Sequence, residues 1–169
     1  MAKKPIITKA DIRELWKQGE IVCVTINGFV RKDGRGVMGR GNALAMSQLI
    51  PELSLKLGEY LRKEGLKVGF IYDRIIAFPV KPKMGVLSQA LPKYRFIFSK
   101  QACVPGFACK ASIDLIIKSA KELVVIANSL KKNIYLPIPG VGNGELNITD
   151  LEPVFDILAK SKYIKLVSL

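Results

Sequence analysis

Histidine is absent from all 169 residues, and that absence removes whole reaction classes. A Ser-His-Asp triad, a Cys-His pair and any His-ligated metal site cannot be assembled from this chain. Acidic residues are scarce as well: 14 Asp and Glu stand against 27 Lys and Arg, a formal charge of +13, so an acidic partner is expected, whether nucleotide, nucleic acid or anionic membrane. The three cysteines, Cys23, Cys103 and Cys109, are odd in number and lack the spacing of a disulfide framework or a four-ligand zinc site. Reduced cysteines, no metal and no cofactor are the expectation. No apolar run approaches the roughly 20 residues needed to span a bilayer. Met1-Ala-Lys-Lys is not followed by an apolar signal core, and a soluble, cytoplasmic protein is expected.

What is present is glycine, concentrated in two places. Gly34-Arg-Gly-Val-Met-Gly-Arg-Gly41 and Pro137-Ile-Pro-Gly-Val-Gly-Asn-Gly144 each follow an apolar strand-like run and precede a helix-like one. Glycine lets backbone approach an anion and take positive φ, so that N–H groups converge on phosphate oxygens where a helix start already favours negative charge. Two such loops imply one large ligand bearing phosphate. Gly34-x-Gly36-x-x-Gly39 matches the dinucleotide fingerprint literally, but the acidic candidate about 20 positions on, Glu59, falls inside a predicted helix. No Gly-x4-Gly-Lys-Ser/Thr run exists, which leaves a P-loop nucleotidase unsupported.

With 49% hydrophobic residues, the chain suits one core, hence one domain over residues 1–169. Thr8-Lys-Ala-Asp11 reads as a capping box opening a short helix to Trp16. Glu20 to Ile26 reads as a strand covered on both faces. Helices are predicted from Asn42 to Ile50 and from Pro51 to about Gly65, then strands at Val68–Tyr72 and Arg74–Phe78. Residues 79–110 hold four of the nine prolines and many cations; so long an irregular segment is expected to line a site or hide a hairpin, with Tyr94-Arg-Phe-Ile-Phe98 as its strand. Ser112 caps a long helix to Leu130, Ile134–Leu136 enters the second glycine loop, Thr149 or Asp150 starts another helix, and Tyr163–Leu169 closes the chain as a strand. Alternating strands and helices predict a three-layer α/β fold with a largely parallel sheet.

Four ordered stretches carry a resemblance: Val24-Thr-Ile-Asn27, Gly36-Val-Met-Gly-Arg-Gly-Asn-Ala43, Phe78-Pro-Val-Lys81 and Leu136-Pro-Ile-Pro-Gly-Val-Gly-Asn-Gly-Glu-Leu146. Together they resemble the landmarks of a macro domain over residues 20–169, nearest the branch of DNA ADP-ribosyl glycohydrolase antitoxins and terminal ADP-ribose glycohydrolases. The resemblance implies an α/β/α fold with a mixed, largely parallel central sheet and an ADP-ribose cleft at its strand ends. Gly36, Val37, Met38, Gly39, Arg40, Gly41, Asn42 and Ala43 would hold the diphosphate. Pro139, Gly140, Val141, Gly142, Asn143, Gly144 and Glu145 would wrap the distal ribose and a phosphate, and Asn27 would face that ribose, although Asn27-Gly28 also reads as an ordinary strand-ending turn. Asp11 has some likeness to the family's adenine-reading aspartate, with Pro5–Thr8 as the strand before it; helix capping with Thr8 is the other reading. Lys81 matches the lysine that relatives place after Phe-Pro-x, facing the anomeric carbon. Desolvated and beside other cations such as Lys83, it would serve as nucleophile, acid or base; the alternative is a phosphate-steering lysine in a basic loop.

Two departures from the branch bear on chemistry. Gly144 stands where some of its glycohydrolases carry an aspartate, with Glu145 one position out of register, and Pro82-Lys-Met-Gly-Val-Leu replaces the Trp-Arg pattern that often follows the lysine. The missing aspartate favours binding and Lys81 favours hydrolysis; the expected function is ADP-ribose binding with hydrolysis of its bond to a modified nucleic acid or protein. The alternatives are a non-catalytic ADP-ribose-binding module and a phosphatase acting on ADP-ribose 1″-phosphate. A basic loop over Lys81–Lys110 interleaved with Tyr94, Phe96 and Phe98 also suits a nucleic acid, by backbone attraction and base stacking.

Overall fold

The computed structural model describes residues 5–168, so Met1–Lys4 and Leu169, the last residue of the predicted closing strand, lie outside the described residues. Strands β1 (Ile7–Lys9), β2 (Ile21–Asn27), β3 (Gly69–Tyr72), β4 (Ile75–Lys81), β7 (Ile134–Pro137) and β8 (Ile164–Ser168) form one sheet in the order β1-β8-β7-β2-β4-β3. Every neighbouring pair is parallel except β3 with β4. The mixed, largely parallel sheet of the sequence reading is thus present.

The two central strands are buried almost throughout because each of their faces meets a helical layer. Ile21 and Cys23 of β2 join Ile76, Phe78 and Val80 of β4 against α5 (Ile113–Leu130) and α6 (Glu152–Leu158). Val22, Val24 and Ile26 join Ile75 and Ala77 against α1 (Ile12–Lys17), α2 (Gly41–Leu49) and α3 (Leu53–Glu64) on the other side. Alternation of side chains along a strand places these two sets on opposite faces, which makes three layers. Parallel strands all end at one edge, and that edge carries Asn27, Lys81, Pro137 and Ser168.

Several element assignments are corrected. Thr8 is no cap: it lies in β1, paired with Val167 of β8, and Asp11 caps α1 by accepting from the Arg13 N–H at 2.9 Å. β4 runs past Phe78 through Pro79 to Lys81. Proline is tolerated there because β3 pairs with β4 only as far as Ala77, leaving one side of the strand end without a sheet partner. Tyr94–Phe98 forms no strand; Pro92 opens a helical turn, α4 (Pro92–Arg95), in which Tyr94 N–H donates to Leu91 and Phe98 N–H to Tyr94. The hairpin hidden in this segment is instead the short antiparallel pair β5 (Met84–Gly85) and β6 (Val104–Pro105). A 3-10 turn over Ile148–Leu151 precedes α6, which begins at Glu152 rather than at Thr149 or Asp150.

Candidate functional site

At the common end of β2, β4, β7 and β8 lies a cleft of about 760 Å³. Thr25, Ile26, Asn27, Val80 and Lys81 line it from the central strands, Val37–Ala43 from the first glycine loop, and Pro137, Ile138 and Gly140–Gly144 from the second. Tyr94 and Phe107 contribute from the segment after β4, and Val167 and Ser168 from the end of β8. The two loops meet: a Cβ at Gly41 would stand 3.4 Å from Asn143 Nδ2. Gly140 and Gly142 have φ of +80° and +71°, a backbone form that glycine adopts without the Cβ penalty.

The first loop delivers the start of α2 to the cleft, with Gly41, Asn42 and Ala43 all in the lining. Its first-turn N–H groups have no intrahelical acceptors, and no acidic side chain sits in that turn to compete for them. Asn42 anchors this geometry. Its Oδ1 accepts from Thr25 N–H and its Nδ2 donates to Thr25 Oγ1, both at 2.9 Å, clipping the helix start to β2. Asn42→Ala leaves the Thr25 N–H without that partner, so chemical denaturation should show a loss of about 1–3 kcal/mol. An unchanged midpoint would mean that the clip is dispensable. Asn27, 8% exposed, holds the same region from the end of the same strand, donating to Val37 O at 3.2 Å and accepting from Phe29 N–H at 3.0 Å.

Lys81 is the cross-strand partner of Asn27, one position beyond a register shift in β2, and is 9% exposed. Its Nζ donates to the carbonyls of Asn143 at 3.3 Å and Phe107 at 3.4 Å. Burial, and then the Arg40 guanidinium, hold its pKa below the ordinary lysine value, while Cys109 and Glu145 pull the other way. The neighbouring cation is thus Arg40 and not Lys83, which is exposed and outside the lining. Phe107 is the hub of an aromatic cluster, with Phe29, Tyr94 and Phe98 packed edge-on at 5.5, 5.9 and 6.4 Å.

Of the expected ligand-loop residues, Asn27, Val37–Ala43 and Gly140–Gly144 are brought together, and four other expected positions are not in the lining. Gly36 turns away, its N–H donating to Ser54 O, and a Cβ there would stand 2.6 Å from Leu57; it is a packing glycine against α3 beside a separate small hollow. Pro139 is buried and Glu145, itself left-handed with φ +61°, is exposed, and neither is in the lining. Asp11 spends its carboxylate on the α1 cap and a bidentate pair with Arg13. Residues 79–110 are expected to line a site, but local pattern gives no hint of how residues 82–110 fold back, so Tyr94 reads only as a strand or base-stacking residue and Phe107 is missed. Val167 and Ser168 become site residues only through the position of β8 in the sheet. Among the described residues no cluster of three or more Cys, Asp or Glu is placed to hold a metal ion.

No family model matches the chain, and no curated protein does. Solved structures match along nearly its full length. The macrodomain of Mycobacterium tuberculosis DarG is 19% identical with a TM-score of 0.65, the match covering 98% of this chain and 97% of that one. The macrodomain of Thermus aquaticus DarG is 17% identical with a TM-score of 0.58, covering 88% and 87%. Thermosipho africanus DarTG in complex with ADP-ribose is 16% identical with a TM-score of 0.61, covering 89% of this chain and 38% of that longer one. A six-stranded mixed sheet between two helical layers, matched by three DarG-type structures, gives this chain the macrodomain fold.

Proposed function

We propose that the cleft binds ADP-ribose and that Lys81 promotes hydrolysis of the bond joining ADP-ribose to a modified macromolecule. The observation that carries this reading is a desolvated amine at the strand edge, set between two glycine loops that meet over a helix start. In this reading the N–H groups of Val37–Ala43 hold the diphosphate, and Gly140–Gly144 wrap the distal ribose and a phosphate, with Asn27 facing that ribose. A volume of about 760 Å³ suits a ligand of that size. The ADP-ribose in the Thermosipho africanus structure is consistent with the choice of ligand. One observation favours a second reading, a module that binds without chemistry: no carboxylate stands among the lining residues to activate a water.

Calorimetric titration with ADP-ribose should give micromolar or tighter binding, with AMP far weaker. No heat with ADP-ribose at millimolar concentration would end both readings. If binding is seen, release of ADP-ribose from modified DNA, RNA or protein decides between them. The macromolecule in the leading reading is a nucleic acid, supported by the charge of +13 and by Phe96 and Ile97, 90% and 64% exposed beside Lys93, Arg95 and Lys100. Cleavage of modified nucleic acid should then fall more steeply with salt than binding of free ADP-ribose, since a longer phosphate track releases more counterions. Equal slopes would argue against an extended track.

A further inference from the structure

Arg40 immediately precedes α2, yet its side chain makes no cap for that helix. It reaches to the segment after β4 instead, where Nη2 donates to Tyr94 Oη at 2.7 Å and the guanidinium carbon lies 5.4 Å from the ring centroid. Tyr94 in turn packs edge-on against Phe107 at 5.9 Å, and the Phe107 carbonyl accepts from Lys81 Nζ at 3.4 Å. An unbroken run of contacts therefore leads from the first glycine loop to the buried amine, and all four residues line the cleft.

We infer that Tyr94 is a positioning residue for Lys81: its hydroxyl fixes the Arg40 guanidinium in the cleft, and its ring fixes the Phe107 peptide that receives the lysine. Among the described residues Arg40 pairs with no carboxylate, so the hydroxyl and the ring face of Tyr94 are what hold it. A long arginine side chain released from this hydroxyl and ring regains rotamer freedom and turns to water. The titratable groups acting on Lys81 are few. Arg40 from the start of α2 disfavours its protonation, while Cys109 after the Gly106–Ala108 turn and Glu145 in the second loop favour it. Freeing Arg40 removes the one cation of this set, and the Lys81 amine becomes easier to protonate.

The inference rests on Lys81 being the acting amine of the proposed function, but its test needs no turnover. Competitive acetylation with acetic anhydride across a pH series, read by peptide mass spectrometry, gives the titration midpoint of Lys81 directly. In Tyr94→Phe, which keeps the ring and loses the hydroxyl, the midpoint should rise and Lys81 acetylation at mildly alkaline pH should fall about three- to tenfold. Arg40→Gln should do the same, and Lys83 should not move in either variant. An unmoved midpoint in Tyr94→Phe overturns the inference, whether or not Arg40→Gln shifts it. Should Tyr94→Phe yield no folded protein, Tyr94→Leu takes its place, and an unmoved Lys81 midpoint there overturns the inference. A wild type that binds ADP-ribose without releasing it from any substrate ends the hydrolase reading alone, since the acetylation midpoint is measured regardless.

Discussion

Lys81→Ala should cut release of ADP-ribose from a modified macromolecule by about 100-fold or more, the scale of losing a positioned proton-transfer group. Affinity for free ADP-ribose should barely change, because Lys81 Nζ is engaged with the carbonyls of Phe107 and Asn143 while loop N–H groups remain for the diphosphate. The pH profile of the wild type then separates two roles. A neutral amine is the attacking or proton-accepting form, so turnover rises with pH and levels off at a value below the ordinary lysine range, since burial and Arg40 lower the pKa. A protonated amine acting as acid gives the opposite limb, falling as pH rises through the same value. Lys83→Ala is the charge control and should leave turnover near wild type. Loss of affinity in both lysine variants with the rate at saturation intact would make Lys81 a steering charge.

The legibility of this chain followed the range of the interactions involved. β2, α5 and the strand entering the second glycine loop were readable because a strand covered on both faces is continuously apolar and an amphipathic helix repeats every three to four residues. The ends of elements were less so: Thr8 looks like a cap until β8 is seen to pair with it, and a proline in β4 is acceptable because β3 pairs with β4 only as far as Ala77. Residues 82–110 were opaque for the same reason. Their order comes from Arg40 on Tyr94, from Phe107 gathering three rings, and from a Gly106 whose Cβ would stand 1.7 Å from Pro82 O, all of them tertiary contacts. The glycine motifs point to a pair of loops, and those loops do line one cleft, but Gly36, which the motif groups with Gly39 and Gly41, packs against Leu57 outside that lining.

Gly39 and Gly36 face opposite sides of the first loop, and substitutions there should separate binding from folding. Gly39→Val should lower ADP-ribose affinity by at least about 100-fold, roughly 2.8 kcal/mol at 1.4 kcal/mol per tenfold, because a branched side chain stands where a phosphate would meet backbone N–H groups. The fold should hardly notice: a Cβ at Gly39 meets nothing within 4 Å, and its φ is not positive, so the change in stability stays within about 0.5 kcal/mol. Gly142→Glu should lose affinity similarly, through bulk and a carboxylate facing the phosphates. Its φ of +71° adds about 1–2 kcal/mol of backbone strain, which makes it the less clean test. Gly36→Val inverts the pattern, since its Cβ would collide with Leu57 at 2.6 Å on the far side of the loop and overpacking of this kind costs about 1–3 kcal/mol. Thermal unfolding and calorimetric titration of the three variants together separate loss of the site from loss of the fold. Wild-type affinity in a folded Gly39→Val protein would remove the first glycine loop from the binding site, and a stable Gly36→Val protein that cannot bind would return Gly36 to it.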